Sequence, residues 1–402
     1  MNERIPPQDW MSDPAANAVL DALEAAGGKD CARFVGGAVR NTLLGLPVAD
    51  VDIATTLTPD AAMAALHVAK IRVVPTGVEH GTVTAVRDHK PFEITTLRRD
   101  VETDGRRAVV AFTTDWVEDA MRRDFRLNAL YADRDGLIYD YVGGGVEDAH
   151  QGRVVFVGDA ETRIREDYLR VLRFFRFFAW YGRGEIDAEG LAACARLKDG
   201  VARLSAERVS KELLRLLEAP DPAPAVRLMA ESGVLGVAIP AALNLDRFDA
   251  MVEIDPDSEL RLSALLPDDP AEVVQLADAL RLSSAQRDRL ELATHPVSLD
   301  LDDAGSRAAI YRFGARNFAD RVKRGLAQSP SKHVQALRLL EVASQWTPPV
   351  FPLGGADVIA LGVAKGPDVG RLLRETEDWW VANDFPTEGI REKLASLVQD
   401  RP

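Results

Sequence analysis

The stretch FVGGAVRNTLLGLPVADVDIAT, Phe34 to Thr55, sets the reading of the N-terminal part of the chain. A short apolar run ends at Gly36-Gly37, a helical pattern follows, and a second β-branched run carries Asp50 and Asp52. Residues two apart on a strand point to the same face, so the two carboxylates are expected to converge. Carboxylates side by side repel and call for a counter-cation, and a pair of Mg²⁺ ions bridging a triphosphate and an attacking hydroxyl would supply one. The Gly-Gly turn lets backbone N–H groups approach phosphate oxygens at the start of a helix. Each piece alone is an ordinary turn or a solvated strand end; the order strand, Gly-Gly, helix, D-x-D is far more specific.

Outward from this stretch, residues 32–157 alternate short runs with turn signals: ARFV, VDIAT, IRVVPT, GTVTAV, FEITTL, LIYDYV and VVFVG. This pattern predicts a sheet. From about Ala160 onward, 3.6-period stretches such as REDYLRVLRFFRFFAWYG, LSAERVSKELLRLLEA and PAEVVQLADALRL predict helices almost throughout, without a fixed-period repeat. The segment 98–116, RRDVETDGRRAVVAFTTDW, with Gly105 inside it, reads as a mobile loop or a hairpin at the rim of the sheet. The expected division is an N-terminal segment 1–30, a head 31–157, a helical neck 158–225, a helical body 226–300 and a helical tail 301–402.

Composition narrows the function. The 402 residues are 47% apolar and 28% charged, which is globular, and the formal charge of −14 excludes a generic basic coat for nucleic acid while leaving room for a local basic groove. The two cysteines, Cys31 and Cys194, show no metal-ligand spacing and are expected to be buried apolar residues. The N-terminus MNERIPPQDWMSDP has no apolar h-region, and no stretch approaches the roughly 18 apolar residues of a membrane span. A cytoplasmic location with no membrane partner is expected.

Together these motifs resemble the nucleotidyltransferase superfamily that includes DNA polymerase β, and within it the class II tRNA nucleotidyltransferase and bacterial poly(A) polymerase family. That family carries G-G-x-V-R-D followed by D-x-D; here stand Gly36, Gly37, Val39, Arg40, Asn41, then Asp50 and Asp52, so Asn41 departs from the pattern. The resemblance implies an α+β chain, with a polymerase β-like head of mixed sheet and helices followed by an all-α neck, body and tail. It also implies Asp50 and Asp52 as metal ligands and catalytic residues. Glu93 in PFEITTL is the candidate third carboxylate, since Glu93 and Thr95 share the face opposite Phe92 and Ile94. Gly36, Gly37 and Arg40 are implied at the triphosphate, and TGVEHGTV is similar to the family's T-x-x-H-G-T-V, with His80 and Gly81 read as supporting a turn.

Three further segments carry the resemblance. MRRDFRLNALYAD is similar to R-R-D-F-T-I-N-A, which implies nucleotide binding by Arg123, Asp124 and Asn128, with Arg126 and Leu127 departing; from its residues alone it reads as an amphipathic helix start. DYVGGGVEDAHQGRVVFVG fits D-x-x-G-G-x-x-D with an extra glycine, as a hinge or a plain connecting loop, through Asp140, Gly143, Gly144 and Asp148. TRIREDYLRVLRFFRF resembles E-D-x-x-R-x-x-R, with Asp167, Arg170 and Arg173 expected along one helical edge. A carboxylate only accepts and a guanidinium only donates. Cytosine and adenine each present an amino donor beside a ring-nitrogen acceptor, whereas uracil and guanine present a carbonyl beside a ring N–H. An Asp167/Arg170 pair therefore suits CTP and ATP, and the protein would serve as the template.

In LSAERVSKELLRLL, Glu207 and Arg208 are expected to brace that helix, and the six arginines of residues 163–183 against Glu166 and Asp167 are expected to form part of an RNA track. The tail GVAKGPDVGRLLRETEDWWVANDF looks family-like and is expected to grip the outer part of a tRNA. The function implied is Mg²⁺-dependent addition of C, C and A to the 3′ end of tRNA from CTP and ATP, with pyrophosphate released and no DNA partner. Poly(A) polymerase or a CC- or A-adding enzyme are the alternatives of the same class, the mobile element at 98–116 bearing on the switch from CTP to ATP. A non-catalytic RNA-binding protein is the alternative of another class.

Overall fold

The computed structural model describes residues 3–104 and 107–400, and two compact units emerge, Met1–Pro240 and Ala241–Pro402. Among the described residues the first contains nine strands: β1 (Ala32–Val35), β2 (Asp52–Thr55), β3 (Arg72–Gly77), β4 (Thr82–Arg87), β5 (Lys90–Thr96), β6 (Arg98–Asp104), β7 (Arg107–Phe112), β8 (Leu130–Ala132) and β9 (Ile138–Asp140). Seven of them form one sheet in the order β3-β4-β5-β2-β1-β8-β9, and β6 and β7 pair as a separate hairpin. Within the segment 98–116, residues 98–104 and 107–112 thus pair as a hairpin; Gly105 and Arg106 lie outside the described residues.

All sheet neighbours are antiparallel except β2 and β5, which run parallel with Asp52 opposite Glu93. A parallel pair needs a long crossover, and the chain from Thr56 to Lys90 supplies it through the helix Pro59–Val68 and strands β3 and β4. β2 begins at Asp52, so Asp50 lies in the approach loop and not on the strand as expected. The N-terminal segment belongs to this layer. The helix Pro14–Gly27 is capped by the Asp13 carboxylate, which accepts from the Ala15 amide at 2.9 Å, and it buries Ala16, Val19, Leu20 and Leu23.

Two further segments differ from the elements their sequence pattern suggests. VVFVG forms no ladder: only an isolated bridge joins Phe156 to Phe125, and the Phe156 ring lies 5.0 Å from Phe125 and 5.3 Å from Phe174. Its apolar side chains fill a core between sheet and neck while its backbone crosses rather than pairs. Conversely Leu130–Ala132, read within a helix start, is β8; all three residues are buried, so no alternation marked them.

The neck helix Leu169–Tyr181 packs on the helix Ala206–Leu217. The expected continuous helix is broken: Ala160–Glu166 ends, Asp167 is extended (φ −153°, ψ 107°), and the chain restarts at Leu169. Val171, Leu172, Phe174, Phe175 and Phe177 form its buried side, and Phe178 is half-buried. Cys31 and Cys194 are both buried thiols. The second unit is helical, built around Ile310, Phe318 and Val322 and, nearer the C-terminus, Leu372, Trp380 and Leu394. No helix among the described residues is long and apolar enough to cross a membrane.

Candidate active site

Asp52 and Glu93 face each other across the parallel pair. Asp52 is half-buried at the head of β2, and Glu93 and Asp50 are exposed. Burial, then the neighbouring charges of Glu93 and Asp50, push the Asp52 carboxyl up to about 6, against the pull of Arg123 and Arg40. Repulsion among carboxylates gathered in this way is what a divalent cation would offset. Among the described residues no three His, Cys, Asp or Glu side chains close around a single point. The arrangement is therefore an open row of hard oxygen donors, the kind Mg²⁺ uses together with phosphate oxygens rather than as an all-protein cage.

Beside this row the chain turns at Gly36, whose φ of 65° and ψ of −113° favour glycine, into the helix Gly37–Leu44. The space a side chain would take at Gly36 faces Arg123, whose Nη1 lies 3.8 Å from the position of a Cβ. Arg123 is aimed there by two partners: its Nη2 donates to Asp119 at 2.9 Å and its Nε to the Tyr131 hydroxyl at 3.1 Å. Asp119 is buried, yet Arg123 and Arg122 hold its carboxyl far below the usual range. Asp119 was not singled out in the sequence; its place four residues before Arg123 on one helical face was the available signal.

Arg40, Asn128, Asp124 and Arg173 form one chain of contacts from head to neck. Arg40 Nη1 donates to Asn128 Oδ1 at 2.6 Å, Nη2 donates to the Tyr181 hydroxyl at 2.9 Å, and its guanidinium lies 3.9 Å from the Tyr181 ring centroid. Asn128 Nδ2 in turn donates to Asp124 Oδ1 at 3.1 Å, and Arg173 Nε to Asp124 Oδ2 at 2.8 Å. Tyr181, last residue of the neck helix, carried no sequence motif.

The departure at Asn41 has a local reason. Its Oδ1 accepts from Arg40 Nη2 at 2.8 Å while its Nδ2 donates to the Pro47 carbonyl at 2.8 Å, a donation an aspartate could not make. Arg126 likewise donates to the fully buried Asp148, Nε to Oδ2 at 2.6 Å and Nη2 to Oδ1 at 3.0 Å. The extra glycine follows from the same packing, since a Cβ at Gly145 would fall 2.6 Å from the Arg126 carbonyl oxygen.

Burial alone would raise the Asp124 carboxyl, but Arg173, the Asn128 amide and the Phe125 N–H hold it down at about 2. Its contribution to stability is therefore present above the unfolded value near 4 and is lost as pH falls through about 2. Asp124→Asn is expected to lower unfolding free energy at pH 7 by about 2 kcal/mol. The gap from the unsubstituted protein should narrow toward pH 2 in urea titrations; an equal gap at pH 7 and near pH 2 would contradict this.

Asp167 and Arg170 sit at the restart of the neck helix but do not bond to each other through their side chains. Asp167 Oδ1 accepts from the Leu169 amide at 3.1 Å and Oδ2 from Arg208 Nη2 at 2.7 Å. Arg170 Nη1 donates to Glu166 Oε2 at 2.6 Å and to the Arg163 carbonyl at 2.9 Å, and Nη2 to the Arg122 carbonyl at 3.0 Å. Arg208 thus braces Asp167, whereas Glu207 is exposed. Arg173 turns to Asp124 and Glu212 rather than to the edge shared with Asp167. Of the six arginines expected to form part of an RNA track, Arg163 and Arg170 pair with Glu166, Arg165 with Glu161, Arg176 with Glu212 at 2.5 Å, and Arg183 donates to the Leu44 carbonyl. Glu166 and Glu161 lie on the helix Ala160–Glu166, and Glu212 comes from the helix Ala206–Leu217.

Residues 32–155 match the family described as "Poly A polymerase head domain", and 185–245 match "Probable RNA and SrmB- binding site of polymerase A". The chain is 35% identical to the mitochondrial CCA tRNA nucleotidyltransferase 1 of Mus musculus, across 91% of this chain and 86% of that protein. It is 32% identical to a CCA-adding enzyme of Lacticaseibacillus paracasei, across 96% and 97%. Its structure resembles that of the Bacillus stearothermophilus CCA-adding enzyme in complex with CTP, with a TM-score of 0.77 and 26% identity over 96% of this chain and 98% of that one.

Proposed function

The chain belongs to the family of CCA-adding tRNA nucleotidyltransferases, and from that premise we propose that its head and neck together form the site that adds C, C and A to the 3′ end of tRNA from CTP and ATP. The observation that carries the reading is the register Asp52 opposite Glu93, with Asp50 two residues upstream and the Gly36 turn beside them. Asp50 and Asp52 would hold Mg²⁺, which when bound neutralises phosphate charge and lowers the pKa of the attacking 3′ hydroxyl. Gly36 leaves room for a phosphate to approach the backbone, and Arg123 and Arg40 supply guanidinium donors for the triphosphate. Glu93, opposite Asp52 across the parallel pair, adds negative charge on the side where the metal is needed.

Base choice falls to Asp167 and Arg170. Asp167 uses two of about four acceptor sites on its described neighbours, and Arg170 keeps Nε–H and one Nη2–H without a described partner. The remaining capacity is an acceptor beside a donor, the complement of the amino/ring-nitrogen edge shared by cytosine and adenine. The experiment is extension of a tRNA lacking its terminal CCA, read as product length on a sequencing gel with Mg²⁺ and each nucleotide singly, then CTP with ATP. Two residues from CTP alone and three from both are expected. A long ladder from ATP alone would transfer the assignment to poly(A) polymerase, and no extension would leave an RNA-binding protein.

A further inference from the structure

The second unit contains a cavity of about 470 Å³, lined by both apolar and polar groups, that nucleotidyl transfer leaves unused. Its polar lining includes Arg247, Arg321, Arg324, Asp268, His295 and Gln328. The three arginines are only 3%, 5% and 6% exposed. Charges so deeply buried are costly unless paired, yet the one carboxylate lining the cavity is Asp268. Its side chain is 70% exposed and serves two of them, Arg247 at 2.6 Å and Arg324 at 2.7 Å.

Backbone carbonyls take up much of the remainder. Arg247 Nε donates to Ala264 at 2.7 Å and Arg324 Nε to Ser263 at 3.0 Å. Arg321 differs from both. Its Nε donates to the Leu292 carbonyl at 2.8 Å and its guanidinium lies 4.1 Å from the Phe313 ring centroid, while neither Nη group bonds to any described residue. His295 is engaged by Glu291 at 3.1 Å. The lining thus holds three guanidiniums and one shared, solvated carboxylate, with the charge of Glu291 acting on Arg321 from beside it and the Nη donors of Arg321 unused among the described residues.

We propose that this cavity binds a phosphate-class oxyanion, with Arg321 as its principal ligand and Arg324 and Arg247 providing the field that holds it. A tetrahedral oxyanion accepts from several directions at once, which suits guanidiniums arriving from two helices, Arg247 from Leu245–Ile254 and Arg321 and Arg324 from Ala315–Gln328, better than a single planar carboxylate would. The same chemistry has two sources, a phosphodiester of an RNA backbone or free phosphate. The first rests on the proposed tRNA function; the second does not.

The test uses the full chain. Inorganic phosphate is titrated by calorimetry at low ionic strength into the unsubstituted protein, Arg321→Gln and Asp268→Asn. Saturable binding is expected, weakened about tenfold by Arg321→Gln and strengthened by Asp268→Asn, which removes the competing carboxylate at a largely exposed position. Filter binding of tRNA across a salt series separates the sources. If the occupant is an RNA phosphodiester, Arg321→Gln also weakens tRNA binding and reduces the salt slope by about one. If it is free phosphate, tRNA affinity is unchanged while phosphate affinity falls. Phosphate binding that is absent, or equal in all three proteins, overturns the proposal even where extension activity is intact. Should Arg321→Gln fail to fold, the absence of a gain in Asp268→Asn overturns it alone.

Discussion

Asp52→Asn is expected to reduce nucleotide incorporation by at least about a thousandfold, as removal of a metal-binding charge from a phosphoryl-transfer site requires. The amide is isosteric, and the site does not need the charge for folding. Burial and the neighbouring charges of Glu93 and Asp50 already oppose ionisation of Asp52, pushing it up to about 6, so neutralising it relieves repulsion. Asp52→Asn should therefore fold at least as stably as the unsubstituted protein and bind tRNA with the same affinity while losing turnover. Loss of activity accompanied by unfolding would point to a structural role instead, and retained turnover would remove Asp52 from the chemistry.

The second large effect concerns which nucleotide is accepted rather than how fast. In Asp167→Ala and Arg170→Ala, the ratio of kcat/KM for CTP over UTP is expected to collapse. Each buried polar group left unpaired against a wrong base costs on the order of 1–3 kcal/mol, so two mismatches give roughly tenfold to ten-thousandfold rejection in the intact site. The contacts define a control. Arg208 donates to Asp167 at 2.7 Å, and Glu166 accepts from Arg170 at 2.6 Å. Arg208→Lys should loosen the orientation of Asp167 and erode selectivity by a smaller factor with kcat for CTP largely kept. Unchanged selectivity in both alanine variants would show that the neck helix does not read the base.

The head was legible in the sequence where side-chain period and backbone demand coincide. The Gly36 turn with φ of 65° and the alternation that sets Glu93 apart from buried Phe92 and Ile94 both follow from residue type. Legibility failed where tertiary packing decides. VVFVG has strand composition but serves an aromatic core, and Leu130–Ala132 is buried on both faces and so shows no period. The break at Asp167 was hidden because its neighbours on both sides have helical composition. The charge count along residues 163–183 left out Glu161, just before it on the helix Ala160–Glu166, and could not foresee Glu212 and Asp124 arriving from other elements. Arg126 and Gly145 read singly as departures, whereas in the fold they belong to one packing arrangement around Asp148.

The most direct measurement is a structure of this protein with CTP and Mg²⁺ bound. The account predicts the triphosphate beside Gly36, Arg123 and Arg40, Mg²⁺ on Asp50 and Asp52, and the cytosine amino group donating to the Asp167 carboxylate while Arg170 donates to the ring-nitrogen edge. A cytosine facing away from Asp167 and Arg170, or a metal bound without Asp52, would contradict it.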